Sequence, residues 1–434
     1  MVADTQSRSR RRAFLGATIG HVIEWYDFGV YGFLAAYIGQ QFFVSSDPTT
    51  SLLSSFAVFA LSFFVRPIGG FFFGPLSDRI GRRQTLVLVV TLMSGSTFLI
   101  GLLPTYASIG ILAPALLVLL RCVQGLSAGG EIGTTTSFLA EYAGPGRRGY
   151  STSWIMVTGV LGFVFGGLVA NGMTFAFGAP YMSEFGWRIP FLIAGPLGAV
   201  ALYIRLRLED SPEFLELARE GKTSRAPLRD SMGYMKSLTI IFFAIALHNA
   251  LFYLVLVYAS IFMAKELKFT SGTTLSFVLI ASLISVVILP LGGAFTDRYG
   301  RKLYLMITGA AATVSMFWFF YASANATPSS FIVALLVMAV CFALYASSTF
   351  ALMSELLPTQ VRSTGIAIAY NLPTAIFGGG TPFISTWLIQ ATGDVTAPKY
   401  FYLVIGILAV IALAQITSRD LEVKAGLPGA VAAE

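Results

Sequence analysis

Gly74-Pro-Leu-Ser-Asp78-Arg79-Ile-Gly81-Arg82-Arg83 recurs later in the chain as Gly293-Ala-Phe-Thr-Asp297-Arg298-Tyr-Gly300-Arg301-Lys302. The two aspartates stand 219 residues apart in a chain of 434, so the period is half the chain. A repeat of that length implies two similar halves. Each copy lies between long apolar runs, which makes it a short polar joint between hydrophobic segments. The leading glycine lets two helices approach closely. An aspartate with paired cations cannot sit in hydrocarbon, so the joint belongs at a membrane surface.

Composition agrees with that reading. The chain is 56% hydrophobic and 11% charged, with mean hydropathy +0.77, whereas a soluble domain averages roughly 25% charged residues. The apolar excess over one core must face lipid. Windows of about 20 apolar residues mark spanning helices, and twelve are expected: 15–40, 52–76, 84–104, 109–139, 151–173, 188–207, 238–262, 273–296, 303–322, 330–353, 364–390 and 400–417. The first carries His21, Glu24 and Asp27, and is too long and too charged for a cleavable signal. Cys122 and Cys341 sit in apolar runs and read as small core residues.

With the N-terminus in the cytoplasm, 22 of the 28 cations fall on that side, Arg205 and Arg207 among them. Arg188, Lys265, Lys268 and Lys399 fall outside, and Arg66 and Arg121 lie within the membrane. This bias places both termini in the cytoplasm. The net charge of +7 is therefore a topology signal, with attraction to membrane lipid as a by-product and no nucleic-acid partner implied. Residues 208–236, polar and mixed in sign, form a cytoplasmic linker between an N-terminal bundle (1–207) and a C-terminal bundle (237–434). The tail from Ser418 is short and shows no heptads.

A second repeat follows the fourth and tenth helices: Glu141-x6-Arg148 and Glu355-x6-Arg362, 214 residues apart. These groups share the surface of the joints. Gly74, Asp78, Arg79, Arg82, Glu141 and Arg148, with Gly293, Asp297, Arg298, Arg301, Glu355 and Arg362, are candidate gating residues: ion pairs among them would tie helix ends together in one conformation and release them in another. The plainer alternative is that they mark the membrane boundary, since surface pairs are individually weak.

Twelve helices with both duplicated motifs resemble the major facilitator superfamily. Glu24-Trp-Tyr-Asp27-Phe28, Arg66-Pro-Ile-Gly69, Arg121-Cys-Val-Gln124-Gly125 with Gly129-Gly130-Glu131, Gly186-Trp-Arg-Ile-Pro190-Phe191, Glu209-Asp-Ser-Pro-Glu-Phe214 and Phe377-Gly-Gly-Gly-Thr-Pro382 are similar to its metabolite:proton symporter family. That family includes citrate, α-ketoglutarate, shikimate and proline/betaine carriers. The missing heptads count against the osmosensing betaine branch, while residues 365–394 resemble the citrate and tricarballylate carriers most. The resemblance implies an all-α integral membrane protein, twelve transmembrane helices in two pseudo-symmetric six-helix bundles, rocking about a central cavity. It implies inward transport of a small-molecule substrate with protons as coupling ion and no cofactor, by a monomer in the bacterial inner membrane.

Charge inside a span costs about 2.5–3.5 kcal/mol per group on insertion scales, so each needs a reason. At 100° per residue, His21, Glu24, Asp27, Phe28 and Tyr31 share an arc of about 120° on the first helix. The seventh carries His248 and Asn249 with Tyr253 nearby; either histidine also reads as a hydrogen-bonding core residue, His248 the more so. At about 1.5 Å per residue, Glu24, Arg66 and Glu131 fall in one central layer and Arg121 lies nearer the outside. The resemblance to sugar carriers instead pairs Asp27 with Arg121. Candidate proton-coupling residues are thus Asp27, Arg121, Glu24 and Glu131. A carboxylate beside a guanidinium keeps its charge, and one left unpaired in apolar surroundings takes a proton. A static ion pair is the alternative, but three anions and two cations exceed what one pair needs.

Arg66, left over in that count, is the candidate for a substrate carboxylate. His21, Tyr31, Gln124, His248, Asn249, Tyr253, Tyr370 and Asn371 complete the substrate-binding set. Tyr370-Asn-Leu-Pro373 and Gly378-Gly-Gly380 are expected to break or bend the eleventh helix. Nucleotide loop, metal cluster and nucleophile triad are all missing from the sequence, so it reads as neither an enzyme nor an ATP-driven pump. The reading is a proton symporter importing a small carboxylate, with a di- or tricarboxylate favoured. A zwitterion such as proline or betaine is the nearest rival; a passive facilitator and a non-transporting sensor are more distant.

Overall fold

The computed structural model describes residues 2–143, 146–265, 269, 271–325, 328–417 and 420. The tail from Ser418, Asp420 apart, lies outside the described residues, as do Lys268 and the side chains of Lys265 and of residues 2–13. The long helices are α1 (Val2–Phe42), α2 (Pro48–Ile80), α3 (Arg82–Leu102), α4 (Leu112–Ala143), α5 (Arg148–Tyr181) and α6 (Arg188–Leu206). In the second half they are α7 (Met235–Tyr253), α8 (Ser271–Tyr299), α9 (Lys302–Asn325), α10 (Pro328–Glu355), α11 (Arg362–Pro373, resuming at Thr381–Thr392) and α12 (Pro398–Ala414). Short helices Pro212–Arg219 and Pro227–Ser231 occupy the expected linker. Nine segments among the described residues are long and apolar enough to cross a membrane. The other three fall short for visible reasons: α1 carries Glu24 and Asp27, α11 is interrupted, and α12 has 17 residues.

Each joint turns the chain over one glycine. Gly81 (φ 108°) separates α2 from α3, and Gly300 (φ 85°) separates α8 from α9. A side chain would be strained at either position. The packing repeats as well: α3 lies against α6 as α9 lies against α12.

By contacts the chain forms two compact units, residues 1–138 with 158–223, and 139–157 with 224–434. The segment joining α4 to α5 thus groups with the second unit, although it belongs in sequence to the expected 1–207 bundle. In the first unit, small residues bring backbones together. A methyl on Gly69, Gly125 or Gly129 would strike the carbonyl oxygen of Leu126, Ser62 or Arg66 across the α2–α4 seam. Gly29, Gly162 and Gly166 do the same for α1 and α5. This is the small-residue packing expected where lipid removes the hydrophobic drive between helices.

In the second unit, α7 and α11 are both locally unwound. A π turn over Leu254–Tyr258 extends α7 into Ala259–Lys265, and another over Thr374–Gly378 follows Pro373 in α11. The expected interruption of the eleventh helix is therefore a π turn. Asn249 Nδ2 donates to Thr374 Oγ1 at 3.0 Å, tying the two helices at the unwound segment.

Candidate functional site

Four helices of the first unit converge on Asp27. Arg121 Nη1 on α4 donates to Asp27 Oδ2 at 2.8 Å, and Gln124 Nε2 donates to Asp27 Oδ1 at 2.9 Å. The same Arg121 reaches Gln124 Oε1 at 2.8 Å and, through Nη2, Ser62 Oγ on α2 at 3.3 Å. Gln124 Nε2 also donates to Thr97 Oγ1 on α3 at 2.8 Å. The guanidinium lies 4.2 Å from the Tyr31 ring centroid, with Phe28 and Phe59 at 5.6 and 5.5 Å. Asp27, Arg121 and Gln124 are fully buried. Helix-length arithmetic separates Asp27 from Arg121 in depth; the reach of arginine closes the gap.

One turn earlier on α1, Glu24 Oε1 pairs with Arg66 Nη2 at 2.7 Å. Glu24 Oε2 stands 3.3 Å from His21 Nδ1, in ion-pair range but outside hydrogen-bond geometry. His21 Nε2 accepts from Trp25 Nε1 at 3.1 Å, which leaves the ring proton on Nδ1, facing Glu24. Arg66 is not the surplus cation expected. Its Nε and Nη1, however, make no hydrogen bond among the described residues, nor do Glu24 Oε2 and His21 Nδ1. Four buried polar atoms without hydrogen bonds in one cluster depart from the norm for buried groups.

Glu131 does not join that layer. It pairs with Arg205 through Nη2 to Oε1 at 2.5 Å and Nη1 to Oε2 at 3.3 Å. Arg205, expected at the cytoplasmic surface, is fully buried. It also donates to Leu86 O on α3 at 2.6 Å and Gly16 O on α1 at 3.2 Å, so one guanidinium ties α1, α3, α4 and α6. A methyl on Gly20 would collide with it. Arg205, Thr97 and Ser62 are the partners that sequence reading missed. The R-L-R pattern at 205–207 signals only a helix end, and Ser or Thr in a span has no distinctive spacing.

The remaining binding candidates sit in the second unit, except Tyr31, whose hydroxyl donates to Ser55 O at 3.2 Å. His248 Nδ1 meets Thr349 Oγ1 at 3.1 Å, with Phe342 and Phe350 rings 6.1 and 5.5 Å away. Thr349 gives its own proton to Ala346 O, so His248 donates. This hydrogen bond and the aromatic surroundings are those of a core histidine. Tyr253 abuts Gly378 of the α11 π turn, Tyr370 packs on Phe350, and Asn371 Nδ2 donates to Ala367 O at 2.8 Å.

The joints are tied differently in the two units. In the first, Asp78 pairs with Arg82 at 3.2 Å, and the linker's Asp210 accepts from Arg82 N and Arg83 N at 3.0 and 3.3 Å, capping α3. Phe214 lies 4.8 Å from the Arg82 guanidinium. Burial pushes the Asp210 carboxyl up, against the pull of these donors. In the second, Asp297 accepts from Gly149 N and Tyr150 N at 2.7 and 2.9 Å, at the N-terminus of α5. Arg301 bridges Asp297 and Glu355 at 2.7 and 2.9 Å. Glu141 pairs at 2.9 Å with Arg362 of the other copy of its motif. Among the described residues no cluster fit to hold a metal ion is found.

The model of the Major Facilitator Superfamily matches residues 17–379. The proline/betaine transporter of Salmonella typhimurium is 34% identical over 415 residues, covering 92% of this chain and 82% of that one. The citrate-proton symporter of Klebsiella pneumoniae is 34% identical over 417 residues, covering 93% and 92%. The E. coli proton:xylose symporter XylE, bound to 6-bromo-6-deoxy-D-glucose, matches with TM-score 0.79 at 19% identity over 94% of this chain and 95% of that one, a likeness of fold alone. The chain belongs to the major facilitator superfamily, and it is a membrane-spanning transporter and not an enzyme.

Proposed function

We propose that this protein is a proton symporter importing a small carboxylate across a bacterial inner membrane, with a di- or tricarboxylate favoured and both termini in the cytoplasm. The observation that carries the substrate class is the Glu24–Arg66–His21 cluster, where buried donors of Arg66 and His21 make no hydrogen bond among the described residues. A substrate carboxylate offered to Arg66 competes with Glu24. Asp27, held by Arg121 and Gln124, is the site whose proton is carried across and released.

The interlocked Asp297, Arg301, Glu355, Glu141 and Arg362 act as a latch at the α4–α5 hairpin, closed when paired. The relative named as a citrate-proton symporter supports the favoured substrate, and the one named as a proline/betaine transporter supports the rival equally. One observation favours a zwitterion instead: Arg66, Arg121 and Arg205 are each matched by a carboxylate. A zwitterion would place its carboxylate on Arg66 and its cation on Glu24. The test is uptake of labelled citrate, tricarballylate, proline and betaine into proteoliposomes, with and without an inward-acid gradient. Accumulation of the polycarboxylates only under the gradient is expected; accumulation of betaine alone would reverse the substrate choice.

A further inference from the structure

We propose that Gln124 and Thr97 are positioning residues that set the pH at which Asp27 gives up its proton, an inference that rests on the assignment of Asp27 above. Gln124 was expected to meet substrate, yet both ends of its amide are engaged within the ion pair. Oε1 accepts from Arg121 Nη1, and Nε2 divides its two protons between Asp27 Oδ1 and Thr97 Oγ1. The amide could in principle sit either way round. Asp27 as acceptor and Arg121 as donor call for the orientation seen, and Thr97 reinforces it. Its hydroxyl lies 2.9 Å from Met93 O and its oxygen accepts from the amide, which calls for the NH2 side. A reversed amide would set oxygen against Asp27 and nitrogen against Arg121.

Other groups around Asp27 leave this role to Gln124. From α1, Tyr26 and Tyr31 flank it with hydroxyls committed to Pro190 O and Ser55 O, and Glu24 is held by Arg66 a turn away. α2 contributes Ser62, which is bonded to Arg121 and not to the carboxylate. Among the described residues Arg121 alone pairs with it as a full positive charge. Beyond Arg121 the carboxylate therefore depends on neutral donors, the Gln124 amide and the Thr97 hydroxyl that reaches it from α3. A hydrogen bond to the charged form favours that form. Removing it should make Asp27 hold its proton to higher pH.

The experiment needs protons only, so it does not wait on the substrate. Infrared difference titration of the reconstituted protein follows the protonated carboxyl band that Asp27→Asn removes. In Gln124→Leu its midpoint should move up by about one pH unit. Thr97→Val should shift it the same way by less, and Thr97→Ser, which keeps the hydroxyl, should restore the wild-type midpoint. Thr97→Val also serves if Gln124→Leu fails to fold. An unchanged or lowered midpoint in the folded variants overturns this proposal alone. If Asp27→Asn removes no titrating band, the assignment of Asp27 falls and this proposal with it.

Discussion

Arg205 lies in the last turn of α6, where sequence reasoning places a surface cation, yet it is the hub of a four-helix contact. Breaking a buried pair by removing one partner costs about 3–5 kcal/mol, because the other charge is left uncompensated. Arg205→Met should therefore lower the thermal stability of the detergent-solubilised protein sharply, and Arg205→Met with Glu131→Gln should recover most of the loss. Recovery absent in the double variant would mean that the backbone acceptors, not the charge, matter. At the neighbouring site the sign of one substitution separates the two substrates. Glu24→Gln removes the competitor for Arg66, so calorimetry should find a polycarboxylate bound about tenfold more tightly, a gain of about 1.4 kcal/mol. The same change should weaken binding of a zwitterion, whose cation loses its partner. Arg66→Gln should weaken both.

The elements themselves were largely legible. Apolar windows, the duplicated joints and Pro373 with its glycine run announce helices, halves and an interruption, because each follows from local chemistry. What was not legible depends on which faces converge. Depth along straight helices put Glu131 with Glu24 and Arg66, but rotation and tilt hand it to Arg205. Asp210 lay in a linker that reads as solvated polar chain, and it caps α3. The comparable contact of Asp297 with α5 yields a prediction at this scale. A capping side chain contributes about 1 kcal/mol, and Asp297 also orders Arg301. Asp297→Asn should slow substrate uptake several-fold while equilibrium affinity stays near wild type; the same holds for Asp78→Asn at the first joint. A matching loss of affinity would place these residues at the ligand and not in the joints.

For the whole molecule, the account requires that proton release and substrate movement be separable. Buried charge is gathered along α1 of the first unit, where Asp27, Glu24 and His21 meet Arg121 and Arg66. The described core of α7 carries His248 without a carboxylate. Coupling is thereby assigned to one unit, and a single substitution should uncouple it. Asp27→Asn mimics the protonated carboxyl permanently. Net uphill uptake of labelled substrate into proteoliposomes under an inward-acid gradient should vanish. Exchange of labelled for unlabelled substrate, which needs no net proton movement, should persist with a flattened pH dependence. Concentration of substrate against its gradient by the Asp27→Asn protein would contradict the account.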